Sequence, residues 1–420
     1  MPEIVPAQEL PPSKGKGLKG KLIRFLLHFL VDLYLGLYRI GALLHRTIPR
    51  LKPDQKRCVL LTGTFHSRNW IMNHLGPMAL SGQCRKIWIV CSFPIPETKK
   101  VIWICPPKWM RSLLGETPAR LLIYSYVAVR HRPEIIGGFH LLINGLQAMA
   151  LARFLGRKSL YINGGGPRET VGGGYLGNKM FGGLGKADAA LERKLLKAVN
   201  QIDIVVTMGR KVIEYLRKEG ATHPRFEVVP GGIDGSLYES RNIEKKYDLI
   251  TVGRMGYVKR FDILLESIKE ASKRMPSIAL AIVGDGELEE ELKDQAARLG
   301  ISGNVSFPGF QTNVVSWLHQ SRVFVLTSDS EGLSLALMEA MMCGLPAIVS
   351  DVGELSELIK DDENGFLVER RQPGQFAQKF VELLGNNPKL AAFSHAARQA
   401  ASRFEIGHTA EKWNAIFSAS

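Results

Sequence analysis

Residues Ser328–Gly353, SDSEGLSLALMEAMMCGLPAIVSDVG, follow a short β-branched and apolar run at Val323–Leu326. Such a run is typical of a buried parallel strand. After a polar break, an apolar helical pattern begins near Ser334. Glu331 then lies in the loop over the helix N-terminus and Glu339 in its second turn, so both carboxylates can face one crevice. The stretch therefore predicts a strand, a loop and a helix of an α/β domain.

The polar groups of this stretch suit a phosphorylated sugar. Free N–H groups at a helix N-terminus favour an anion, and carboxylates accept hydrogen bonds from sugar hydroxyls. Together they indicate a site for a sugar nucleotide. For two glutamates on their own, a capping residue and a solvated helical residue are the simpler explanation.

The stretch resembles the carboxyl-terminal signature of family 4 retaining glycosyltransferases, which have the GT-B fold. That signature is a Glu, seven residues, a Glu and a Gly-x-Pro turn, matched here by Glu331, Glu339 and 344–346. The resemblance is close from about Val228 onward and looser, in strand and helix order only, over 57–226. It implies two Rossmann-like domains facing a cleft, and we expect an additional amphipathic helix at the N-terminus.

The pattern of strands, helices and turns predicts six segments. These are a disordered basic arm at 1–18, an amphipathic membrane-surface helix at 19–50, an N-terminal Rossmann-like acceptor domain at 51–234, a linker at 235–246, a C-terminal Rossmann-like nucleotide-sugar domain at 247–403, and a tail at 404–420 that crosses back to the first domain.

Composition limits the classes of partner. The 420 residues suit two domains, and a net charge of +15 favours anionic partners such as phosphates or an anionic membrane surface. Nucleic acid is excluded as a partner because the basic residues form no recognisable binding motif. The five cysteines lack metal-ligand spacing, which predicts free thiols in a reducing, cytoplasmic compartment.

The segment Lys21–Arg46 predicts a helix with a narrow polar stripe and a wide apolar face. Its charges recur too often for a simple transmembrane span. A helix lying on the inner face of an anionic membrane is the favoured interpretation. A helix packed on its own protein or in a dimer, and a spanning helix, are the alternatives. The stripe consists of Lys21, Arg24, His28, Asp32, Arg39 and Arg46.

Two loops of the second domain suit a nucleoside diphosphate. Gly253, Arg254 and Lys259 lie in the loop after a predicted strand, and the two cations suit a diphosphate. The family has this Arg and Lys on the leaving diphosphate, with a Gly usually following the Lys where this chain has Arg260. In the family, the turn that corresponds to Gly284 and Gly286 lies near the nucleotide.

The first domain offers weaker candidates. Gly63 allows close backbone approach after the first strand, where Ser67 and Arg68 could meet an acceptor phosphate, although a simple turn explains the loop equally well. His140 ends a predicted strand, and the family often has a histidine near this point, close to the donor sugar; a loop-capping histidine is the alternative. The glycine-dense loop 163–186 is predicted to gate the acceptor side, with Arg168 and Glu169 at its tip.

The resemblance implies a retaining transfer of a sugar from a nucleoside-diphosphate sugar, with no cofactor. If Arg254 and Lys259 suffice for the diphosphate, no metal ion is needed, and no Asp-x-Asp motif lies in a candidate site loop. Catalytic roles would fall to Arg254, Lys259, Glu331 and His140. The resemblance and the loops together assign substrate binding to Gly63, Gly253, Gly284, Gly286, Gly332, Leu333, Ser334 and Glu339. A UDP-sugar donor is favoured, with a glycan or polyprenyl-diphosphate-linked acceptor in polysaccharide synthesis. The alternatives are a sugar-nucleotide 2-epimerase and a non-catalytic subunit that binds nucleotide sugar.

Overall fold

The computed structural model describes residues 18–45, 55–65, 67–174, 187–239 and 243–419. These form two compact units, Ile233–Ile406 and a unit that combines Met1–Gly232 with Gly407–Ser420. The expected basic arm, apart from residue 18, and the second half of the glycine-dense loop lie outside the described residues. So do residues 46–50 at the end of the expected helix.

The first unit contains a seven-stranded parallel sheet. Its order, β3-β2-β1-β4-β5-β6-β7, reverses between β1 and β4. Apolar runs supply most of the strands because both faces of a parallel sheet are covered by helices. The strands are β1 (Arg57–Thr62), β2 (Cys84–Val90), β3 (Val101–Ile104), β4 (Ile135–Phe139), β5 (Lys158–Asn163), β6 (Ile204–Thr207) and β7 (Arg225–Val228).

The helices of the first unit connect these strands, and one more precedes them. They are α1 (Leu18–Leu44), α2 (Arg68–Leu80), α3 (Lys108–Leu114), α4 (Glu116–His131), α5 (Leu146–Leu155), α6 (Ala189–Val199) and α7 (Arg210–Lys218).

Two helices of this unit differ from what their sequence pattern predicts. The pattern over 108–130 predicts one helix, but Gly115, with a φ of 88°, separates α3 from α4. The pattern over 142–155 also predicts one helix, but the helix begins at Leu146, after an irregular turn at Leu141–Gly145. In that turn Ile143 has a φ of 71°, a conformation that interrupts a helical ladder.

Helix α1 packs along α5 and contacts α6. Leu27, Val31 and Leu35 are buried against this unit. Part of the polar stripe also faces the protein, since His28 bonds Asp188 over 2.9 Å and Asp32 accepts from Lys194 over 2.6 Å. The alternative of a helix packed on its own protein therefore describes one side of α1. The opposite side is apolar and exposed, at Leu22, Phe25, Leu26, Phe29, Leu33, Leu37, Ile40, Leu43 and Leu44.

The second unit contains a six-stranded parallel sheet of order β10-β9-β8-β11-β12-β13, which reverses between β8 and β11. Its strands are β8 (Tyr247–Val252), β9 (Leu280–Val283), β10 (Val305–Gly309), β11 (Ser321–Leu326), β12 (Ala347–Ser350) and β13 (Gly365–Val368). Its helices are α8 (Phe261–Ser272), α9 (Glu289–Arg298), α10 (Val314–His319), α11 (Leu335–Met342), α12 (Pro373–Leu384) and α13 (Asn387–Ala401). Both faces of this sheet carry an apolar core.

The two connections between the units differ from the expected boundaries. Ile233 exchanges backbone hydrogen bonds with Phe404 and Ile406, so the second unit begins before the expected linker at 235–246. The last helix, α14 (Ile406–Ser418), packs on the first unit from residue 407 onward. There the buried Arg57 Nε donates to Phe417 O over 2.8 Å.

Candidate active site

The loops after β8 and β11 bring an ammonium group to a carboxylate. Lys259 Nζ donates to Glu331 Oε1 over 2.6 Å, and Ser328 Oγ donates to the same oxygen over 2.6 Å. The Lys259 side chain is 22% exposed and that of Glu331 is 12% exposed. Because the strand order reverses between β8 and β11, the pair lies where open α/β sheets bind ligands.

Arg254 does not join this pair. It forms an ion pair of 2.9 Å with Glu287, in the turn after β9, and more than half of its side chain is exposed. The two predicted cations of the loop therefore have different carboxylate partners. A bound diphosphate would have to compete with both of these ion pairs.

The predicted glycines allow two loops to pack closely. A Cβ atom on Gly284 would lie 2.0 Å from Gly253 O, and one on Gly286 would lie 2.4 Å from Met255 O. Met255 N also donates to Asp285 O over 2.7 Å. These glycines shape the backbone of the site whether or not they touch a ligand.

Arg260 explains why a glycine is usual after the lysine. Its φ of 50° lies in the left-handed region, which glycine adopts at little cost. Its guanidinium bonds Asp262 and Asp329, and Arg371 also bonds both carboxylate oxygens of Asp329 over 2.9 Å. These cations lower the pKa of Asp329, although burial opposes them. This cluster fixes the loop before Glu331, and no local sequence pattern indicates it.

Helix α11 begins where the sequence predicted. Ser334 is its N-cap and accepts from Leu337 N through its side chain. Gly332 is half-buried in the preceding loop, and Leu333 packs against the core of the unit. The loop that carries Glu331 therefore leads directly into the first turn of α11.

Glu339 is buried in the second turn of α11, where it accepts a hydrogen bond from the Tyr238 hydroxyl. Burial, together with the charge of Glu339 and this hydrogen bond, raises the pKa of Tyr238. Tyr238 ends a short turn capped by Asp234, in the segment that was expected to be a linker. Tyr238 and Glu339 are far apart in the sequence and meet only in the folded chain, so no sequence motif indicates this contact.

Gly353 packs closely against the backbone of Glu331. It has a φ of 55°, and a Cβ atom here would lie 1.8 Å from Glu331 O. Only a glycine fits this close approach in its present geometry. Gly353 is the last residue of the stretch 328–353, and no local sequence pattern indicates this role.

The first unit places His140 at the carboxyl end of β4 beside a buried carboxylate. His140 Nδ1 lies 2.9 Å from Glu169 Oε1, which also accepts from Gly165 N over 2.6 Å. Glu169 Oε2 accepts from Leu141 N over 2.7 Å and from the Tyr161 hydroxyl over 2.8 Å. Glu169 is therefore a buried anchor, and its predicted place at the exposed tip of the loop is wrong.

The pKa values of His140 and Glu169 are both shifted. Burial lowers the pKa of His140, but the charge and hydrogen bond of Glu169 outweigh it, so the pKa is raised. Burial raises the pKa of Glu169, yet the donors around it lower the pKa overall. Both shifts favour the charged forms of the two residues, with Nδ1 of His140 turned to the carboxylate.

Aromatic rings complete this part of the unit. The Trp70 ring stacks on the His140 ring at an interplanar angle of 14°, with centroids 6.2 Å apart. The predicted Gly63 lies close to the Phe65 ring, whose Cζ atom would be 2.3 Å from an added Cβ. Gly63 therefore has a packing role that the sequence did not indicate. Within the described ranges, no three His, Cys, Asp or Glu side chains are grouped to hold a metal ion.

Comparison with known proteins gives a family match over part of the chain. Residues 237–400 match the family described as glycosyl transferases group 1. The chain is 34% identical over 244 residues to an uncharacterized glycosyltransferase of Haemophilus influenzae, covering 58% of this chain and 66% of the relative. It is 28% identical to the putative glycosyltransferase EpsD of Bacillus subtilis, covering 52% of this chain and 61% of that protein. The matches thus span about two thirds or less of these relatives.

A solved structure gives the fold. Anabaena HepE in complex with UDP-glucose superimposes with a TM-score of 0.66 at 17% identity, covering 87% of this chain and all of that one. Both units here are parallel-sheet α/β domains, as in GT-B glycosyltransferases. The two units therefore have the GT-B fold, and residues 237–400 match the group 1 glycosyl transferases.

Proposed function

We propose that this protein is a retaining, family 4 glycosyltransferase that moves a hexose-type sugar from a nucleoside-diphosphate sugar to a glycan or lipid-linked acceptor. The observation that carries the proposal is the pairing of Lys259 with Glu331 beside the N-terminus of α11, with Glu339 in its second turn. A UDP-sugar is the favoured donor, in line with the UDP-glucose bound to HepE.

The second unit would stabilise the leaving group. Lys259, Arg254 and the amides at 332–334 would oppose the negative charge that grows on the departing diphosphate. Glu331 would then hold sugar hydroxyls and Glu339 the ribose, with Tyr238 fixing its carboxylate. If these cations suffice, the reaction needs no metal ion. His140 would donate a hydrogen bond to the sugar.

The acceptor would lie at a membrane. Helix α1 exposes an apolar side, and its residues 20–44 are long and apolar enough to cross a membrane. We favour a peripheral position on the cytoplasmic face, because α1 is packed on the first unit along its length. A polyprenyl-diphosphate-linked sugar of a polysaccharide pathway fits such a position.

The test is nucleoside-diphosphate release from UDP-, GDP- and ADP-sugars with membranes present, with and without a chelator. Lys259→Ala should reduce release from the preferred donor by roughly a hundredfold or more. Lys273→Ala is the matched control, since it removes an exposed lysine that pairs with Glu270 over the same 2.6 Å. Release that needs a metal ion would contradict the metal-independent mechanism. Nucleotide binding without release from any donor would favour a binding subunit.

A further inference from the structure

Arg120, on α4, is a buried cation in the first unit without an ionic partner. Only 5% of the residue is exposed. Its Nη1 donates to Thr62 Oγ1 over 2.8 Å and to Asn144 Oδ1 over 2.6 Å, and its Nη2 donates to Thr64 Oγ1 over 3.5 Å. All three acceptors are neutral, and no carboxylate in the described part of the chain lies within ion-pair distance of Arg120.

Such a group calls for an explanation, because buried charges in proteins are usually paired or bound to a ligand. The acidic residue whose charge acts on Arg120 is Glu116, which is mostly exposed. The Glu116 carboxylate is already occupied by Arg111, over 3.0 Å, and by the Ser92 hydroxyl. The positive charge of Arg120 is therefore left largely uncompensated.

The position of Arg120 is that of a ligand site. Thr62 ends β1, and Asn144 lies in the irregular turn after β4. The strand order of the sheet reverses between β1 and β4, and open α/β sheets bind ligands in the crevice at such a point. Thr64, which accepts from Nη2 of the buried guanidinium, is exposed, so the hydrogen bond joins Arg120 to a residue at the surface. His140 lies at the end of the same pair of strands.

We propose that Arg120, with Thr64, binds the phosphate or diphosphate group of the acceptor. This inference rests on the proposed function and names the chemical class of the acceptor. A guanidinium presents a planar fork of donors that matches phosphate oxygens, and the Thr64 hydroxyl can donate a further hydrogen bond. The phosphate would supply the negative charge that the protein does not provide at this point.

Helix α1 also lies near Arg120. Burial raises the pKa of Tyr34, on the packed side of α1, and the charge of Arg120 is close enough to oppose that shift. The opposite side of the same helix, which includes Phe25, Phe29 and Leu33, is apolar and exposed. A lipid-linked diphosphate likewise combines a charged group with an apolar chain, so one helix could serve both parts of such an acceptor.

The first experiment measures binding of inorganic pyrophosphate to the full chain by calorimetry at saturating UDP, so that the nucleotide site of the second unit is occupied. The wild-type protein should still bind pyrophosphate. Arg120→Gln should weaken this binding at least roughly tenfold. Arg130→Gln is the matched control, because it removes an exposed charge from the same helix. Unchanged affinity in Arg120→Gln would overturn the proposal and make Arg120 a structural brace.

Two further variants keep the test informative if Arg120→Gln does not fold. Arg120→Lys keeps the charge but loses the fork, and Thr64→Val removes only an exposed hydroxyl. Each should weaken pyrophosphate binding severalfold with little change in melting temperature. If either variant bound pyrophosphate as tightly as the wild-type protein, the proposal would be overturned. Lys259→Ala separates the two hypotheses: it should abolish UDP binding and leave the Arg120-dependent binding intact.

The source of the phosphate is tested with vesicles of a neutral lipid to which either a prenyl diphosphate or phosphatidylglycerol has been added. The proposal predicts that Arg120→Gln reduces flotation with the first kind and not with the second. An equal loss with both kinds would assign Arg120 to lipid headgroups and overturn the acceptor assignment.

Discussion

At the scale of single residues, Glu169 is a buried charged group near the strand ends of the first unit. Its two oxygens accept hydrogen bonds from His140, Leu141, Gly165 and Tyr161. The carboxylate thereby fixes the ring of His140, the turn after β4 and the start of the glycine-dense loop. If His140 binds the sugar as proposed, Glu169 acts on the sugar only through His140 and is a positioning residue.

Replacing Glu169 with Gln should destabilise the protein in a pH-dependent way. The raised pKa of His140 contributes stability that is present below its unfolded value of about 6.5 and is lost as pH rises through the folded value. The lowered pKa of Glu169 contributes stability that is present above about 4.3 and is lost as pH falls through the folded value. The variant should therefore lose more free energy of unfolding at pH 5.5 than at pH 9.

Urea unfolding at both pH values measures this difference. The hydrogen bonds alone should cost about 2 kcal/mol at either pH, and the ion pair adds to that at pH 5.5. Tyr161→Phe is the control, because it removes one donor and leaves the charges in place; its smaller loss should not depend on pH across this range. Burial lowers the pKa of His74 to about 3, so this residue stays neutral in the folded protein at both pH values and does not contribute to the difference between the variants. Equal losses for Glu169→Gln at both pH values would contradict the ion pair.

At the scale of elements, the loop after β12 supports the loop after β11 through Gly353. Changing Gly353 to Ala imposes both a left-handed conformation and a clash with Glu331 O. Gly300→Ala is a matched control within the same unit, because its φ is 69° and its added Cβ meets nothing within 4 Å. The control isolates the conformational cost of about 1 kcal/mol.

Gly353→Ala should therefore lose clearly more stability than Gly300→Ala, by about 2 kcal/mol or more. It should also weaken UDP binding, since the shift of Glu331 disturbs its pairing with Lys259, whereas Gly300→Ala should bind UDP normally. Thermal unfolding and calorimetry of the two variants measure both effects. Similar losses of stability with unchanged UDP affinity would show that the loop accommodates the methyl group.

An element could be predicted from the sequence when the residues that determine it lie close together in the chain. Apolar runs and helical spacing predicted most strands and helices, and the start of α11 at Ser334, because those signals lie within one segment. The partners of Arg120, Tyr238 and Gly353 come from residues 22 to 101 positions away, so no local pattern could show them. Two partners of Glu169, His140 and Leu141, are likewise 29 and 28 positions away, and they hold this residue in the interior.

At the scale of the whole molecule, α1 is both a packed helix and an exposed apolar surface. A soluble monomer rarely exposes so continuous an apolar surface unless it meets a membrane or another protein. The strong positive charge of the chain favours an anionic leaflet. The two sides of α1 can be tested separately, because the residues that hold the helix differ from those that face outward.

Changing Phe25, Phe29 and Leu33 together to Gln should reduce flotation with anionic vesicles at least tenfold, since each buried side chain contributes about 1.5–3 kcal/mol. The melting temperature should change little, because all three side chains are exposed. Val31→Ala, on the buried side, should show the opposite pattern: a lower melting temperature and normal flotation. If the triple variant floats like the wild-type protein, the exposed side of α1 does not bind lipid. In that case a change in oligomeric state of the same variant would identify the surface as a contact between protein chains.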